Sequence, residues 1–536
     1  MFSLKRFLQL TAVAAVSVFM VACAGGDKST PSKGNMIPDN AVVALKVDFD
    51  LLLNKALGDE NSPLRDYWNM AKSGLSGQMR GYGEVGEYVR KIINDPALSG
   101  IEVDEPVVVS CAYDMQNIPY VDPSVDVYMV ALLEDRSAFI KVVDAVMNYA
   151  ILEEDMNVSK VELGSYTYYE FLSEYDTAVD LGVAAKAAVL RIRENGYESG
   201  DALKESFVNL FANGGPEKSK GLKKFYGTEE EVALWVNLEG AMNSAMPLLV
   251  EELDPMTLSK IQASKEVYKG ASVVADLAFN DGQTVVNCNV YGSDLLKETA
   301  TKYNKPASDK YLKKVPASAA LVLNLAIKDL DVLFDQLCAE SRDVQDMYND
   351  LAMEFGFNKN LLKGLTGTIT LALDGRTLSY RSEPGLMLCV EAERNVWTYA
   401  QSYLDEFAER QSADKYSVDD QIYFLYEDDH MTMVDAKTMY TTPVAGTNSF
   451  ADTEFGAQIK NSGLYLNLAA IPSNDLVKFF RREFDLRLSR EQILGFCSSV
   501  VLTTSDDFMS TTLTLNMNDK EHNLLEKIAL EAVPTF

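Results

Sequence analysis

The segment 38-PDNAVVALKVDFDLLLNKAL-57 decides how the chain reads. Val43, Leu45 and Val47 alternate with Ala44, Lys46 and Asp48, the period of two that marks a strand with one face in a core. After Asp48 the spacing loosens to that of a helix, through Leu52, Leu53, Ala56 and Leu57. The pattern returns three times, as EVALWVNLEGAMNSAM from Glu231, LVLNLAIKDLDVLFDQL from Leu321 and LYLNLAAIPSNDLVKFF from Leu464. In every copy the three alternating positions are aliphatic, which predicts that Leu45, Leu234, Leu323 and Leu466 face a core. The intervening Lys46, Trp235, Asn324 and Asn467 then take a solvent-side or edge position.

Each copy is followed by two further strands and a helix. The predicted pairs are Pro106 to Tyr113 with Val125 to Leu133, Ser272 to Phe279 with Thr284 to Tyr291, Thr366 to Leu373 with Leu386 to Glu391, and Ser498 to Thr504 with Thr511 to Met517. Asn280-Asp281-Gly282 and Asp374-Gly375 are hairpin turn signals. The closing helices read as Ser137 to Tyr149 (with Asp135 or Ser137 as cap), Ser293 to Tyr303, Asn395 to Arg410 and Asp519 to Ala532. Meanders separate the copies. Residues 165–172, 177–183 and 186–192 precede a helix over 201–213, and residues 420–429, 430–436 and 437–443 form the second set. A helical insert with glycine interruptions runs from Leu64 to Asn94.

The fold class expected is therefore α+β: internally duplicated, predominantly antiparallel sheets with helices packed on one face, in four strand-helix-strand-strand-helix units. These fall into two halves, 37–306 and 314–536, joined by an exposed Lys-rich connection, Lys302 to Lys314. If the two units of each half join edge to edge, they complete one larger sheet.

The N-terminus carries a different signal. Lys5 and Arg6 precede an apolar run from Phe7 to Met20, and Met20-Val21-Ala22-Cys23 follows. This is the form of a secretory signal over 1–22, too short to persist as a membrane span. Its end resembles the bacterial lipobox, with Met20 where leucine is usual. The resemblance implies cleavage after Ala22 and acylation of Cys23, which would then anchor the chain to a lipid bilayer at about 0.8 kcal/mol per buried methylene. Residues 23–36 would be the lipidated, flexible tether. The full chain of 536 residues holds 49 basic and 79 acidic side chains, a net charge of −30 that disfavours nucleic-acid partners.

Few residues suggest chemistry. His430 and His522 are the only histidines. The turn Glu427-Asp428-Asp429-His430 reads as a solvated hairpin, and His522 as the exposed side of a terminal helix. Among so many acids no pair is marked out by spacing as a hydrolytic couple. Gly81, Gly83 and Gly86 spell G-x-G-x-x-G, yet MAKSGLSGQMR before them has no strand pattern. Beyond Cys23, five cysteines remain, none in a zinc spacing. Tyr166, Tyr168 and Tyr423 occupy matching places in the two meanders. They are the candidate ligand-binding residues, able to stack on a glycan or anchor a protein, or else to pack a sheet. No cofactor or metal is implied.

The lipobox, the tether, the I-P-x-x-A-x-V-x-x-x-V segment from Ile37 to Val47 and the paired halves together resemble the Bacteroides-type lipoproteins that carry a DUF4836-like domain of unknown function. The resemblance implies a Gram-negative envelope and an outer-membrane anchor, on the periplasmic face or the cell surface. It transfers no catalytic residue. The reading preferred is a non-enzymatic, lipid-anchored binding or scaffolding protein. The alternative is a carboxylate-dependent hydrolase acting on envelope glycan or peptide.

Overall fold

In the computed structural model, β1 (Ala41–Val47) is a central strand, with β2 (Val107–Asp114) on one side and β8 (Val232–Asn237) on the other. Residues 37–532 are described except 115–123, 154–156, 173–176, 195–206, 208–218, 253–254, 356–357, 366, 376–384 and 436–448. The expected leader, Cys23 and the tether lie outside them, as do the strand 437–443 and all of the helix 201–213 but Phe207. The chain divides into a first unit of Met1–Phe279, Cys288–Ser293 and Leu525–Phe536, and a second of Asn280–Asn287 and Asp294–Leu524.

In the first unit, β3 (Ser124–Leu132), β4 (Asn157–Leu163), β5 (Tyr166–Leu172), β6 (Thr177–Val183), β7 (Ala187–Glu194) and β9 (Ser272–Asn280) complete the sheet. The order is β9-β8-β1-β2-β3-β7-β6-β5-β4, antiparallel throughout. The first two copies of the repeat thus lie edge to edge, as expected, with Leu45 opposite Leu234 and Val43 opposite Val236. The helices are α1 (Phe49–Leu57), α2 (Pro63–Gln78), α3 (Gly83–Asn94), α4 (Arg136–Glu153), α5 (Lys220–Tyr226), α6 (Leu238–Glu252) and α7 (Pro255–Tyr268). The Asp48 side chain caps α1 through the Leu51 amide, and Asp135 accepts from Ser137 and Ala138 at the start of α4. Gly74 and Gly77 do not break α2, because Trp68, Leu75 and Met79 pack against Val89 and Ile93 of α3. Strand β10 (Gln283–Tyr291) has residues in both units. Gly282, at φ +73°, supplies the left-handed residue of the turn before it.

The second unit contains β11 (Leu321–Ile327), β12 (Gly367–Leu373), β13 (Leu386–Glu391), β14 (Glu409–Ser412), β15 (Lys415–Val418), β16 (Ile422–Glu427), β17 (His430–Asp435), β18 (Gly463–Asn467), β19 (Ser499–Thr504) and β20 (Ser510–Asn516). Their order is β20-β19-β18-β11-β12-β13-β17-β16-β15-β14, again antiparallel. From β19 to β14 it repeats the first unit's order, strand for strand. Its helices are α8 (Asp294–Lys302), α9 (Leu330–Glu340), α10 (Arg342–Phe355), α11 (Lys359–Gly364), α12 (Arg394–Phe407), α13 (Glu454–Ile459), α14 (Ser473–Phe484) and α15 (Arg490–Phe496), while α16 (Leu524–Ala532) ends the described chain.

Four expectations need correction. The helix predicted over 395–410 stops at Phe407, and β14 and β15 follow it, short polar strands without the alternation that would reveal them. The helix predicted from Asp519 begins only at Leu524, because Asp519 turns back to accept from the amides of Glu521 and His522. The Lys-rich stretch 302–314 is no exposed connection. It buries Tyr311 and Leu312 in the second core while its lysines stay outside, Lys310 against Asp428 and Lys305 against Glu391.

The fourth correction is the largest. Both cores lie on the opposite face of the repeat strands from the one expected. Ala44, Lys46, Ala233, Trp235, Val322, Asn324 and Tyr465 are buried, while Leu45 and Leu234 are each 36% exposed. The first core gathers Ala44, Ala233, Trp235, Val274 and Phe225, and the second gathers Val322, Ala372, Met387, Phe450 and Tyr465. Alternation marks two faces but does not say which is closed. Here the closed face takes small and polar side chains, and Asn324 shows how such a group is satisfied. Asn324 accepts from the Thr370 hydroxyl at 2.9 Å and donates to the Lys460 carbonyl at 2.9 Å. Asn324→Ala is expected to cost about 1–3 kcal/mol, because Thr370 and that carbonyl stay buried without it. Urea unfolding measures this; a loss within error of zero would show that the bonds contribute nothing net.

Candidate functional site

The closed face of the first sheet carries an ionic network. Asp126 and Tyr128 on β3, Asp180 on β6, and Arg191 and Arg193 on β7 all point into it because they alternate in step across paired strands. Arg191 and Asp180 are cross-strand partners, each with a side chain 1% exposed and 2.7 Å apart. The Tyr168 hydroxyl donates to the other Asp180 oxygen at 2.7 Å, and the Arg191 guanidinium lies 5.1 Å from the centre of the Phe207 ring. Arg193 binds Asp126 through both nitrogens Nε and Nη2, the fork geometry that suits a carboxylate. Lys46 lies on this same closed face of β1, where its amine donates to the Thr228 carbonyl. Burial lowers its pKa to about 8, against the pull of Asp48, Glu105 and Asp276. Asp126 and Asp180 are thus each committed to an arginine, which gives the network a structural role.

The candidate tyrosines take separate places. Tyr168 is 1% exposed and sits in the first core, so it packs the sheet and does not offer its ring to a ligand. Tyr166 is half-buried against the same core, and Tyr423 is half-buried against the second. Tyr169, on the other face of β5, joins a separate cluster with Val143 and Met147 of α4.

His430 is not solvated. Asp428 and Asp429 both adopt positive φ, making a two-residue turn that tucks the imidazole under Tyr311 with ring centres 4.0 Å apart. Burial lowers its pKa, and Nδ1 lies 2.7 Å from the Asp428 carbonyl. The three acids of that turn diverge: Glu427 pairs with Lys314, Asp428 with Lys310, and Asp429 accepts from Tyr426. His522 is half-buried ahead of α16, its Nδ1 3.0 Å from Asp519.

In the glycine string, Gly83 opens α3 directly after a single-turn helix, Met79–Gly81. A Cβ at Gly86 would lie 2.0 Å from the Met79 carbonyl, so that glycine serves a close backbone approach. Cys111, Cys288, Cys338, Cys389 and Cys497 are free thiols. Among the described residues no group of three or more His, Cys, Asp or Glu is placed to hold a metal, and no helix is long and apolar enough to cross a membrane.

What the repeats do build is an aliphatic face opposite the closed one. In the first unit, Ala275, Leu234, Leu45, Val109, Met129 and Leu190 form one cross-strand row. None of the six is buried, and they span about 24 Å at the usual strand spacing. The row ends under α4, where Leu190 and Ile192 pack against Val143 and Met147. In the second unit the matching row runs Leu513, Leu502, Leu464, Leu323, Leu371, Leu388, Met433 and Phe424. Every member of it is half-buried. Beside it, Leu466 is covered by Leu476 and Phe480 of α14 and by Ile493 of α15. Leu45 and Leu234 differ from these flanks. They sit opposite one another on paired strands that each have a neighbour on both sides, and over a third of each remains open. The opening is lined by hydrocarbon. Sequence reading found these residues but assigned them to the interior, since an aliphatic ribbon looks the same whether a core or a ligand covers it.

The family model described as "Domain of unknown function (DUF4836)" matches residues 33–525 of the chain. Neither a curated protein nor a solved structure matches it.

Proposed function

The chain belongs to the DUF4836 family, whose domain is of unknown function, and from that premise we propose that it is a binding protein of the cell envelope whose first unit accepts an unbranched hydrocarbon chain, such as a lipid acyl group. One observation carries this reading: Leu45 and Leu234, paired across β1 and β8 inside the first sheet, are each 36% exposed. The row around them presents only aliphatic and thioether side chains. A glycan or a polar peptide laid there would lose hydrogen bonds to water and gain none, at a cost of about 1–3 kcal/mol per group. A methylene chain loses nothing and gains about 0.8 kcal/mol per buried CH₂.

Two further parts belong to the same proposal. Acylation at Cys23 would hold the chain on the outer membrane, supported by the basic, apolar and small-residue order of residues 5–23. The two units arose by duplication, supported by their shared strand order from β19 to β14.

Titrating the chain with the fluorescent fatty acid cis-parinaric acid tests the site. Saturable binding is expected, with Leu45→Glu weakening it about ten-fold or more, since the new carboxylate must be desolvated beneath the ligand. Leu371→Glu on the second unit should leave it unchanged. Equal affinity in wild type and Leu45→Glu would overturn the assignment.

A further inference from the structure

We propose that α14 and the turn after it form a second, independent surface, which docks on the headgroup layer of an anionic phospholipid bilayer. Helix α14 is two-faced. Leu476 is 1% exposed and, with Phe480 beside it, packs onto Ile493 and Leu494 of α15. On the outer side Phe479, Phe484 and Leu486 are 46%, 59% and 45% exposed. Phe479, Phe480 and Phe484 touch as one aromatic patch, with ring centres 5.6 to 6.0 Å apart. Asp485, at φ +52°, turns the chain so that Leu486 follows beside it, its amide bonded back to the Phe480 carbonyl at 3.4 Å.

Charge identifies the occupant. Residues 473–490 carry Lys478, Arg481, Arg482, Arg487 and Arg490 against Asp475, Glu483 and Asp485, a basic island on a chain of net charge −30. Lys478, Arg481 and Arg482 line an open depression with Phe479 and Asp475. Arg490 is held on the carbonyls of Ala469 and Ile471, and Arg482 contacts Glu483, so Lys478, Arg481 and Arg487 are the cations available to headgroups. Aromatic rings standing beside lysine and arginine match the boundary of a bilayer. The rings enter the acyl edge while the cations meet phosphate, each cation near an anionic surface contributing about 1 kcal/mol. A helix of this length is about 18 Å long and can lie flat on a surface but does not span it. An acylated tether fixes proximity to the bilayer but not orientation, so a peripheral surface of this kind would orient the anchored body.

Flotation with vesicles tests the proposal, using residues 24–536, which retain every described element and lack Cys23. The chain is expected to float with phosphatidylcholine vesicles that contain phosphatidylglycerol and to remain behind with phosphatidylcholine alone. The pair Phe479→Ser and Phe484→Ser should weaken flotation about ten-fold or more, as should Lys478→Glu with Arg481→Glu. Leu45→Glu should leave it unchanged, which separates this surface from the acyl site. Thermal unfolding should match wild type in each variant, because the altered side chains are exposed. No flotation with phosphatidylglycerol, equal flotation on both vesicles, or flotation indifferent to both double variants overturns the proposal. So does a dimer in sedimentation velocity that Phe479→Ser dissolves, since the patch would then belong to a second copy.

Discussion

Asp180→Ala is expected to destabilise the first unit by about 3–5 kcal/mol, the cost of leaving a buried charge without its partner. The substitution strands two groups at once. Arg191 is enclosed with its guanidinium 2.7 Å from Asp180, and the Tyr168 hydroxyl loses the carboxylate it donates to. Water cannot replace the carboxylate, since both side chains of the ion pair are 1% exposed. The loss is a property of breaking the pair, not a measure of what the pair contributes. Asp180→Leu combined with Arg191→Met and Tyr168→Phe, which removes all three groups together, should recover most of the stability. Urea unfolding read through tryptophan fluorescence gives both values, with Trp68 and Trp235 reporting the first unit and Trp397 the second. A single-variant loss below about 1 kcal/mol would mean that the network is already wet, and the enclosed geometry would be wrong.

Lys46 should leave a signature in the pH dependence of stability. Its pKa falls from 10.5 to about 8 on folding because burial penalises the ammonium. Below pH 8 the amine is charged in both states, so the folded chain bears the full cost of the buried charge. Between pH 8 and 10.5 the unfolded chain binds the extra proton, and stability rises with pH across that window. The full rise is about 3 kcal/mol at 1.36 kcal/mol per unit. Cys389 and Cys497 act in the opposite sense. Burial pushes these thiols up to about 12 and about 11, so their contribution is present below pH 9 and is lost as pH rises through those values. The difference between wild type and Lys46→Met cancels the thiols and isolates the lysine. That difference should narrow steadily from pH 8 upward, with Lys46→Met the more stable protein at pH 7. A gap independent of pH over the window would show that the amine is neutral throughout or solvated.

The strands were legible because their signals are local. Alternation placed the repeats and the hairpins that close them, and Leu386–Glu391 and Thr177–Val183 match their predicted limits residue for residue. Asn280-Asp281-Gly282 announced its turn because only glycine takes that backbone without strain. The strands β14 and β15 were not legible. ERQS and KYSV have no apolar period, and they are strands because β16 offers them a paired edge. Tyr311 hid among lysines and His430 in an acidic turn; the second core takes in Tyr311, and the Tyr311 ring lies against the imidazole. Tyr168 reads from sequence as a stacking face or, by preference, a packed one, and Asp180 and Arg191 around it decide for packing.

By itself the sequence determined that four aliphatic ribbons recur, that each begins a strand followed by helix and hairpin, and that the halves are built alike. It did so because a period of two is a property of the backbone, repeated wherever the residues alternate. Which face of each ribbon is sealed was decided only in three dimensions. Lys46 and Asn324 go inside because the Thr228 carbonyl and the Thr370 hydroxyl stand in the right place, partners distant in the chain, while Ala44 and Trp235 join the apolar cluster around Val274 and Phe225. Leu45 and Leu234 are left partly open for the complementary reason: the segments that reach that side of β1 and β8 leave over a third of each exposed.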